Sequence, residues 1–213
     1  MGLHSQHSKY VLVSGMQLYA SLLQYPENPI AGALAFDADG LHVDVMDGST
    51  VPGRCRHDLI LEQLKAIGKP IQVHLMVEDP IDWIQSIAQN TPETIFFHPA
   101  WTRSPALTVK TIREYNIKAG IVWNNDNALE MCPDYDEILF MTVEPGACGQ
   151  SMITERISQI DQIVNTVKVP TWIDGGVNQK TISLLQGMKL TGIIAGSGMN
   201  SLVRGGNIGY NMA

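Results

Sequence analysis

Eight short runs of apolar or alternating residues punctuate the chain. They fall at 10–14 (YVLVS), 41–46 (LHVDVM), 71–76 (IQVHLM), 94–98 (TIFFH), 118–123 (KAGIVW), 138–143 (ILFMTV), 170–174 (PTWID) and 192–196 (GIIAG). Their length, β-branched content and flanking turn residues read as strands. Helical patterns lie between them. Asp79-Pro80 offers an N-cap and a first-turn proline ahead of Ile81, Ile84, Ile87 and Ala88 on one face. The stretch 151–167 sets Ile153, Ile157, Ile160, Ile163, Val164 and Val167 at steps of three and four. Asn178 can cap a further helix carrying Ile182 and Leu185.

Strands alternating with helices build a parallel sheet. Eight such units in 213 residues fit a single (β/α)8 TIM barrel, a fold whose lower size limit is about 200 residues. An open doubly wound sheet is the rival arrangement. The expected domain covers 1–213, with the polar start at 1–9 as a flexible segment. The glycines after Ser201 (Gly205, Gly206 and Gly209) make a poor final helix.

Composition narrows the function classes. Lys plus Arg number 14 and Asp plus Glu 21, a net charge of −7, which disfavours nucleic acid as a general partner. Three widely spaced cysteines, Cys55, Cys132 and Cys148, form no CxxC pair and suit a reducing compartment. No apolar run approaches the ~18 residues needed to cross a bilayer, and the polar start lacks a secretory apolar region. Gln6 stands where a myristoylation motif needs Ser or Thr. The expectation is a soluble, cytoplasmic protein with neither nucleic acid nor membrane as partner.

The polar positions inside the strands carry the chemistry. Alternate residues of a strand face opposite sides. Leu41, Val43 and Val45 then face the helices, while His42 and Asp44 face the lumen. The third run repeats this, with His74 inward beside Val73 and Leu75. The seventh ends on Asp174, opposite in parity to Ile173. All four lie near C-terminal strand ends, where barrel enzymes place their active sites. Two His and two Asp converging there suit a divalent cation with mixed nitrogen and oxygen ligands.

Glycine-rich turns follow the last three strands: Pro145-Gly146-Ala147-Cys148-Gly149-Gln150, Asp174-Gly175-Gly176-Val177 and Ala195-Gly196-Ser197-Gly198. Glycine lets backbone N–H groups approach an anion, and phosphate sites in such barrels commonly follow strands seven and eight.

These residues resemble a known family. His42-Val-Asp44-Val-Met46-Asp47-Gly48, Val73-His74-Leu75-Met76-Val77, Met141-Thr-Val-Glu-Pro-Gly146, Gly149-Gln150, Asp174-Gly-Gly-Val177 and Gly196-Ser197 are similar, in order, to ribulose-phosphate 3-epimerases and their allulose-phosphate relatives. The resemblance runs from about residue 40 to 200. It implies a barrel of the ribulose-phosphate-binding type and one divalent metal ion (Zn, Fe, Mn or Co) held by His42, Asp44, His74 and Asp174. It implies Asp44 and Asp174 as acid and base. Gly146, Ala147, Cys148, Gly149, Gly175, Gly176, Gly196 and Ser197, with Ser14 and His74, would bind a phosphorylated ketose. Met46, Met76 and Met141 would line the reacting carbons, and the assembly would be a homo-oligomer. The chain departs from the family pattern at Ser49-Thr-Val-Pro-Gly53, where HFVPN is usual. It also departs at Ala147-Cys148, where Phe-Gly is usual, and at Asn125, where proline is common.

Such a constellation suits inversion at C3 of a ketose phosphate, ribulose 5-phosphate or a hexulose 6-phosphate. One aspartate removes the proton beside the carbonyl and the other returns one from the opposite face, through an enediolate steadied by the cation. His98 falls to a supporting role, and Trp101 and Trp123 to packing. Two other readings compete. A decarboxylase or Schiff-base aldolase would want an inward lysine at a strand end, and none of the eight offers one. A non-catalytic sugar-phosphate-binding barrel would bind without turnover.

Overall fold

The computed structural model describes residues 15–202. Its sheet contains β1 (Gln17–Ser21), β2 (Gly40–Asp47), β3 (Arg54–Arg56), β4 (Ile71–Met76), β5 (Thr94–Phe97), β6 (Lys118–Trp123), β7 (Glu137–Met141), β8 (Thr171–Asp174) and β9 (Gly192–Ala195). β3 is a short antiparallel addition that folds back on β2, with Cys55 opposite Met46. The other eight strands run parallel. β1 pairs with β9 on one side and β2 on the other, which closes the ring and excludes the open doubly wound sheet.

Seven of the eight expected strands sit where the apolar runs place them, within a residue or two. The run expected first, 10–14, lies outside the described residues together with Ser14 and the expected flexible segment 1–9, and the strand that closes the ring is Gln17–Ser21, a stretch the apolar runs did not single out.

Helices flank the ring: α1 (Pro29–Ala35), α2 (Leu61–Lys65), α3 (Ile81–Ala88), α4 (Pro105–Arg113), α5 (Ala128–Met131) and α6 (Ile157–Val164). They are shorter than the periodicity predicts, for local reasons. Asp79 does not cap α3. It adopts φ 45°, and its carboxylate accepts from Thr102 Oγ1 (3.3 Å) and pairs with Arg103. α6 starts at Ile157 rather than near 151, because Thr154–Arg156 form a tighter 3-10 turn that carries Arg156 inward. The helix expected after Asn178 shrinks to a 3-10 turn, Ile182–Leu185. Asn178 Oδ1 accepts from the N–H groups of Lys180 (2.8 Å) and Thr181 (3.3 Å), and Gly187 leaves helical space at φ 87°.

Strand parity separates two apolar layers. Leu41, Val43, Val45, Val73, Leu75, Ile121, Ile173 and Ile193 face outward and pack under the helices. Tyr19, Phe96, Val122, Leu139, Trp172 and Ile194 fill the lumen. Gly120 belongs to that filling: a Cβ there would lie 2.2 Å from the Phe96 ring, so the ring takes the space a side chain would need. Below this layer the barrel has a polar floor. Glu137 is 2% exposed and accepts from Thr94 Oγ1 (3.2 Å), Trp172 Nε1 (3.0 Å) and Lys118 Nζ (2.9 Å). Among the described residues no helix is long and apolar enough to cross a membrane.

Candidate active site

The upper end of the lumen is polar. β2 and β4 pair in a register that sets Asp44 against His74 and Met46 against Met76. β2 delivers His42 and Asp44, β4 delivers His74, and β8 ends on Asp174. β2 and β8 stand three strands apart around the ring by one path and five by the other, so the two aspartates face each other across the mouth. One ligand atom from each of the four residues lies within 4.8 Å of the others.

The contacts within this cage are specific. His74 Nδ1 lies 3.2 Å from Asp44 Oδ1. His42 Nε2 lies 3.7 Å from Asp44 Oδ1 and 3.9 Å from Asp174 Oδ2, too far to hydrogen-bond, and is a buried atom without a partner. On the other side of that ring Nδ1 is 3.5 Å from Gln72 Oε1. Ser21 Oγ donates to Asp44 Oδ2 at 3.3 Å. A buried imidazole nitrogen left bare and turned toward two carboxylates is costly unless something occupies the space between them. The donor set, two imidazoles and two carboxylates, fits a divalent cation of the zinc or first-row kind. The cluster could therefore hold a metal ion.

Burial and neighbouring charge pull the ionisable groups apart. Burial pushes His42 down to about 4, against the opposing pull of Asp44, so its imidazole is neutral. Burial alone would raise Asp44, but the hydrogen bond with His74 and the nearby imidazoles outweigh it and hold the carboxyl below its ordinary range. Asp174 moves the other way: burial, then the charge of Asp44, raises it well above the ordinary carboxylate value. The pair thus favours one carboxylate and one carboxylic acid.

A cavity of about 370 Å³ opens above the cage. Gly146, Ala147, Cys148, Gly149, Gly175, Gly176, Gly196 and Ser197 all line it, with Met76, Met141, His74, Asp44 and Asp174. Met46 does not line it. Its side chain lies beneath Gly53, packed with Met76, Val51 and Cys55. His42 is likewise behind the wall, reaching only the cage. Burial pushes the Cys55 and Cys132 thiols up to about 11, which keeps both protonated near neutral pH. Trp123 packs against Phe140 in the outer layer, and Trp101 stacks on His98 at 3.6 Å between ring centres.

The structure adds supports that parity and spacing do not show. Thr142 Oγ1 donates to the carbonyls of Asp174 (3.0 Å) and Gly175 (2.6 Å), fixing the end of β8 against β7. Arg156, 9% exposed, reaches Asn124 Oδ1 (2.8 Å) and the Met141 carbonyl (3.0 Å) and pairs with Glu144. Gln150 Nε2 donates to the Glu144 and Ala147 carbonyls (2.7 and 2.9 Å) and closes the 144–150 loop on itself. Asp47 accepts from the N–H groups of Ser49 and Glu78 (2.7 and 2.9 Å), tying the β2 and β4 ends together. Ser21, not within the expected first run, supplies the serine of the first strand. Its signal is the alternation Leu18, Ala20 against Tyr19, Ser21. Lys180 also lines the cavity, the one lysine or arginine among the described residues that do so.

Comparison with known proteins agrees with this geometry. The ribulose-phosphate 3 epimerase family profile matches residues 16–200. The ribulose-phosphate 3-epimerase of Mycobacterium bovis is 34% identical over 170 residues, covering 75% of this chain and 74% of that protein. The enzyme of that name from Escherichia coli K12 is 33% identical over 202 residues, covering 89% and 88%. Among solved structures, KGPDC from Streptococcus mutans superposes with a TM-score of 0.64 at 14% identity, covering 86% of this chain and 88% of that one. A tryptophan synthase α-subunit mutant from Pyrococcus furiosus gives 0.65 at 12% identity, covering 85% and 87%. These distant structures show the barrel alone. The sequence relatives show more: the chain belongs to the ribulose-phosphate 3-epimerase family and is an isomerase of the epimerase kind.

Proposed function

We propose that this chain inverts C3 of a ketose phosphate, ribulose 5-phosphate or a hexulose 6-phosphate, with Asp44 and Asp174 as the two proton-transfer groups. One observation carries the reading. Two facing carboxyl groups with opposite protonation preferences share one cavity, and glycine turns line that cavity's other wall. His42, Asp44, His74 and Asp174 would hold the divalent cation, which supplies Lewis-acid stabilisation of negative charge on the substrate oxygens.

The remaining chemistry belongs to side chains. Asp44 is held ionised and takes the C3 proton from its side of the ketose, and the electrons pass into the enediolate. Asp174, held protonated, returns a proton to C3 from the opposite face. A second turnover in the same direction requires Asp44 to lose its proton and Asp174 to regain one, either through solvent or by running the reverse reaction. Ser21 steadies Asp44 through its hydroxyl, and Thr142 fixes the backbone from which Asp174 projects. Met76 and Met141, nearly fully buried, form a weakly hydrated wall beside the reacting carbons and keep water from the intermediate. The phosphate would lie against the Gly175-Gly176 and Gly196-Ser197 turns. φ values of 116° and 65° at the first two suit glycine and let the backbone come close. Lys180 supplies the countercharge in a cavity whose other charged lining residues, Asp44, Glu144 and Asp174, are all acids.

The test is exchange of the C3 proton with deuterated solvent, using protein loaded in turn with zinc, iron, manganese and cobalt. Deuterium at C3 of one pentulose 5-phosphate or hexulose 6-phosphate is expected. No exchange with any of them in any metal form would overturn the reading.

A further inference from the structure

His98, which directly follows β5 at the rim of the lumen, is 1% exposed and has no part in the proton transfers. Its Nε2 lies 3.0 Å from His74 Nε2, and its ring lies flat against Trp101 with centres 3.6 Å apart. The His74 and His98 rings are themselves 5.2 Å apart and inclined by 28°. Two imidazole nitrogens at 3.0 Å make one hydrogen bond, so one carries a hydrogen and the other offers its lone pair. Which is which decides the state of His74. Its other nitrogen, Nδ1, is on the cage side, 3.2 Å from Asp44 Oδ1.

We propose that His98 is a positioning residue for cation binding: its Nε2 accepts the Nε2–H of His74, so that on binding the His74 Nδ1 lone pair is given to the cation in place of the Nδ1–H hydrogen bond to Asp44. The inference rests on the reading of the cage as a cation site. A neutral imidazole carries one ring hydrogen. If Nε2 keeps it by donating to His98, Nδ1 is bare and can ligate. If the bond ran the other way, the hydrogen would sit on Nδ1 and point into the cage, where it would exclude a cation. Trp101 holds the His98 ring in plane and so fixes the direction of its lone pair. His42 follows the same logic on the neighbouring strand, with Gln72 Oε1 at its Nδ1 and a bare Nε2 in the cage. Each imidazole of the cage thus has an acceptor behind it, as ligating histidines commonly do.

Zinc is the probe, measured by competition with a chromophoric chelator on the full chain. His98→Phe keeps a ring on Trp101 but removes the acceptor, and His98→Gln restores an acceptor of similar reach. His98→Phe is expected to weaken zinc binding by about 10–100-fold, and His98→Gln to recover most of that loss. Equal zinc affinity in wild type and His98→Phe, or equal losses in both variants, would overturn the proposal while leaving the cage intact. Absence of zinc binding by the wild type would sink the cage reading itself, and the proposal with it. Should the Phe variant not fold, nitrogen-15 spectra of the zinc-loaded wild type decide. The His74 proton is expected on Nε2, and finding it on Nδ1 would refute the assignment.

Discussion

The barrel buries acidic side chains at both ends, and the two ends treat them differently. At the floor, Glu137 meets a hydroxyl, an indole N–H and an ammonium, and Tyr19 OH and Lys118 Nζ extend the network to Glu93 at 2.8 and 2.9 Å. Every donor there has an acceptor. At the mouth, Asp44 and Asp174 confront each other across a gap, and the His42 nitrogen between them has no partner. The floor is a satisfied network of the kind that fixes a fold. The mouth sets a buried imidazole nitrogen without a protein partner beside two carboxyl groups, a donor set that could hold a cation. Burial alone does not mark a functional acid; burial without compensation does.

The sharpest way to break that contrast is to neutralise one acid at each end. Asp174→Asn is expected to lower kcat by about 10²–10⁴-fold, the usual worth of a proton-transfer group. The same change should raise the unfolding midpoint of the ion-free protein, because it removes an acid that burial and Asp44 both disfavour. The sign with pH follows from the raised value in the fold. Between the unfolded carboxyl value, about 4, and that raised value, the native state holds a proton the unfolded state has lost, so the wild type loses stability as pH rises. The stability advantage of Asp174→Asn should therefore widen from pH 4.5 to pH 7, which paired denaturant titrations measure. Full activity in this variant would remove Asp174 from the chemistry.

Glu137→Ala should do the reverse. It strands Trp172 Nε1–H and the Thr94 hydroxyl, at a cost of about 3 kcal/mol for two buried unpaired donors. The kcat of the folded fraction should stay within about twofold, since the floor touches no reacting atom. A loss of kcat comparable with that of Asp174→Asn would show that the two ends are coupled. Zinc sharpens the contrast further. At about 100 times its dissociation constant it should stabilise the wild type by about 2.7 kcal/mol, seen as a raised midpoint. Glu137→Ala should keep that increment in full, whereas Asp174→Asn should lose most of it.

The same contrast explains what could be read from the sequence. The cage was legible because β2 and β4 alternate so regularly: Leu41, Val43 and Val45 announce the outer face and leave His42 and Asp44 no other place to point. Asp174 follows from Ile173 in the same way. The supports were not legible, because they depend on distances between elements far apart in sequence. Nothing near Glu137 indicates that Trp172 and Thr94 will converge on it. Nothing near His98 indicates that its lumen neighbour is His74 rather than a cavity. Asp79 misled for the opposite reason: its Asp-Pro signature is local, and the pull of Thr102 and Arg103 is not. The first strand was misplaced because Gln17–Ser21, seven residues beyond 10–14, alternates in the same way and also ends in serine, and taking the earlier run alone overlooked it.

That second serine leaves a small effect to measure. Ser21 Oγ donates to Asp44 Oδ2 at 3.3 Å and accepts from the Leu23 N–H at 3.4 Å, both long contacts. A hydrogen bond of this kind contributes about 1 kcal/mol, so Ser21→Ala should lower kcat/KM by about fivefold. The loss should fall on kcat, because Asp44 without its hydroxyl neighbour is less firmly aimed, whereas the backbone of the glycine turns lining the cavity is unchanged. Parallel kinetics of Ser21→Ala and Ser14→Ala decide between the two runs. A loss confined to Ser21 places that hydroxyl at the mouth, while a loss confined to Ser14 would return the role to the earlier serine and detach Ser21 from the proton transfer.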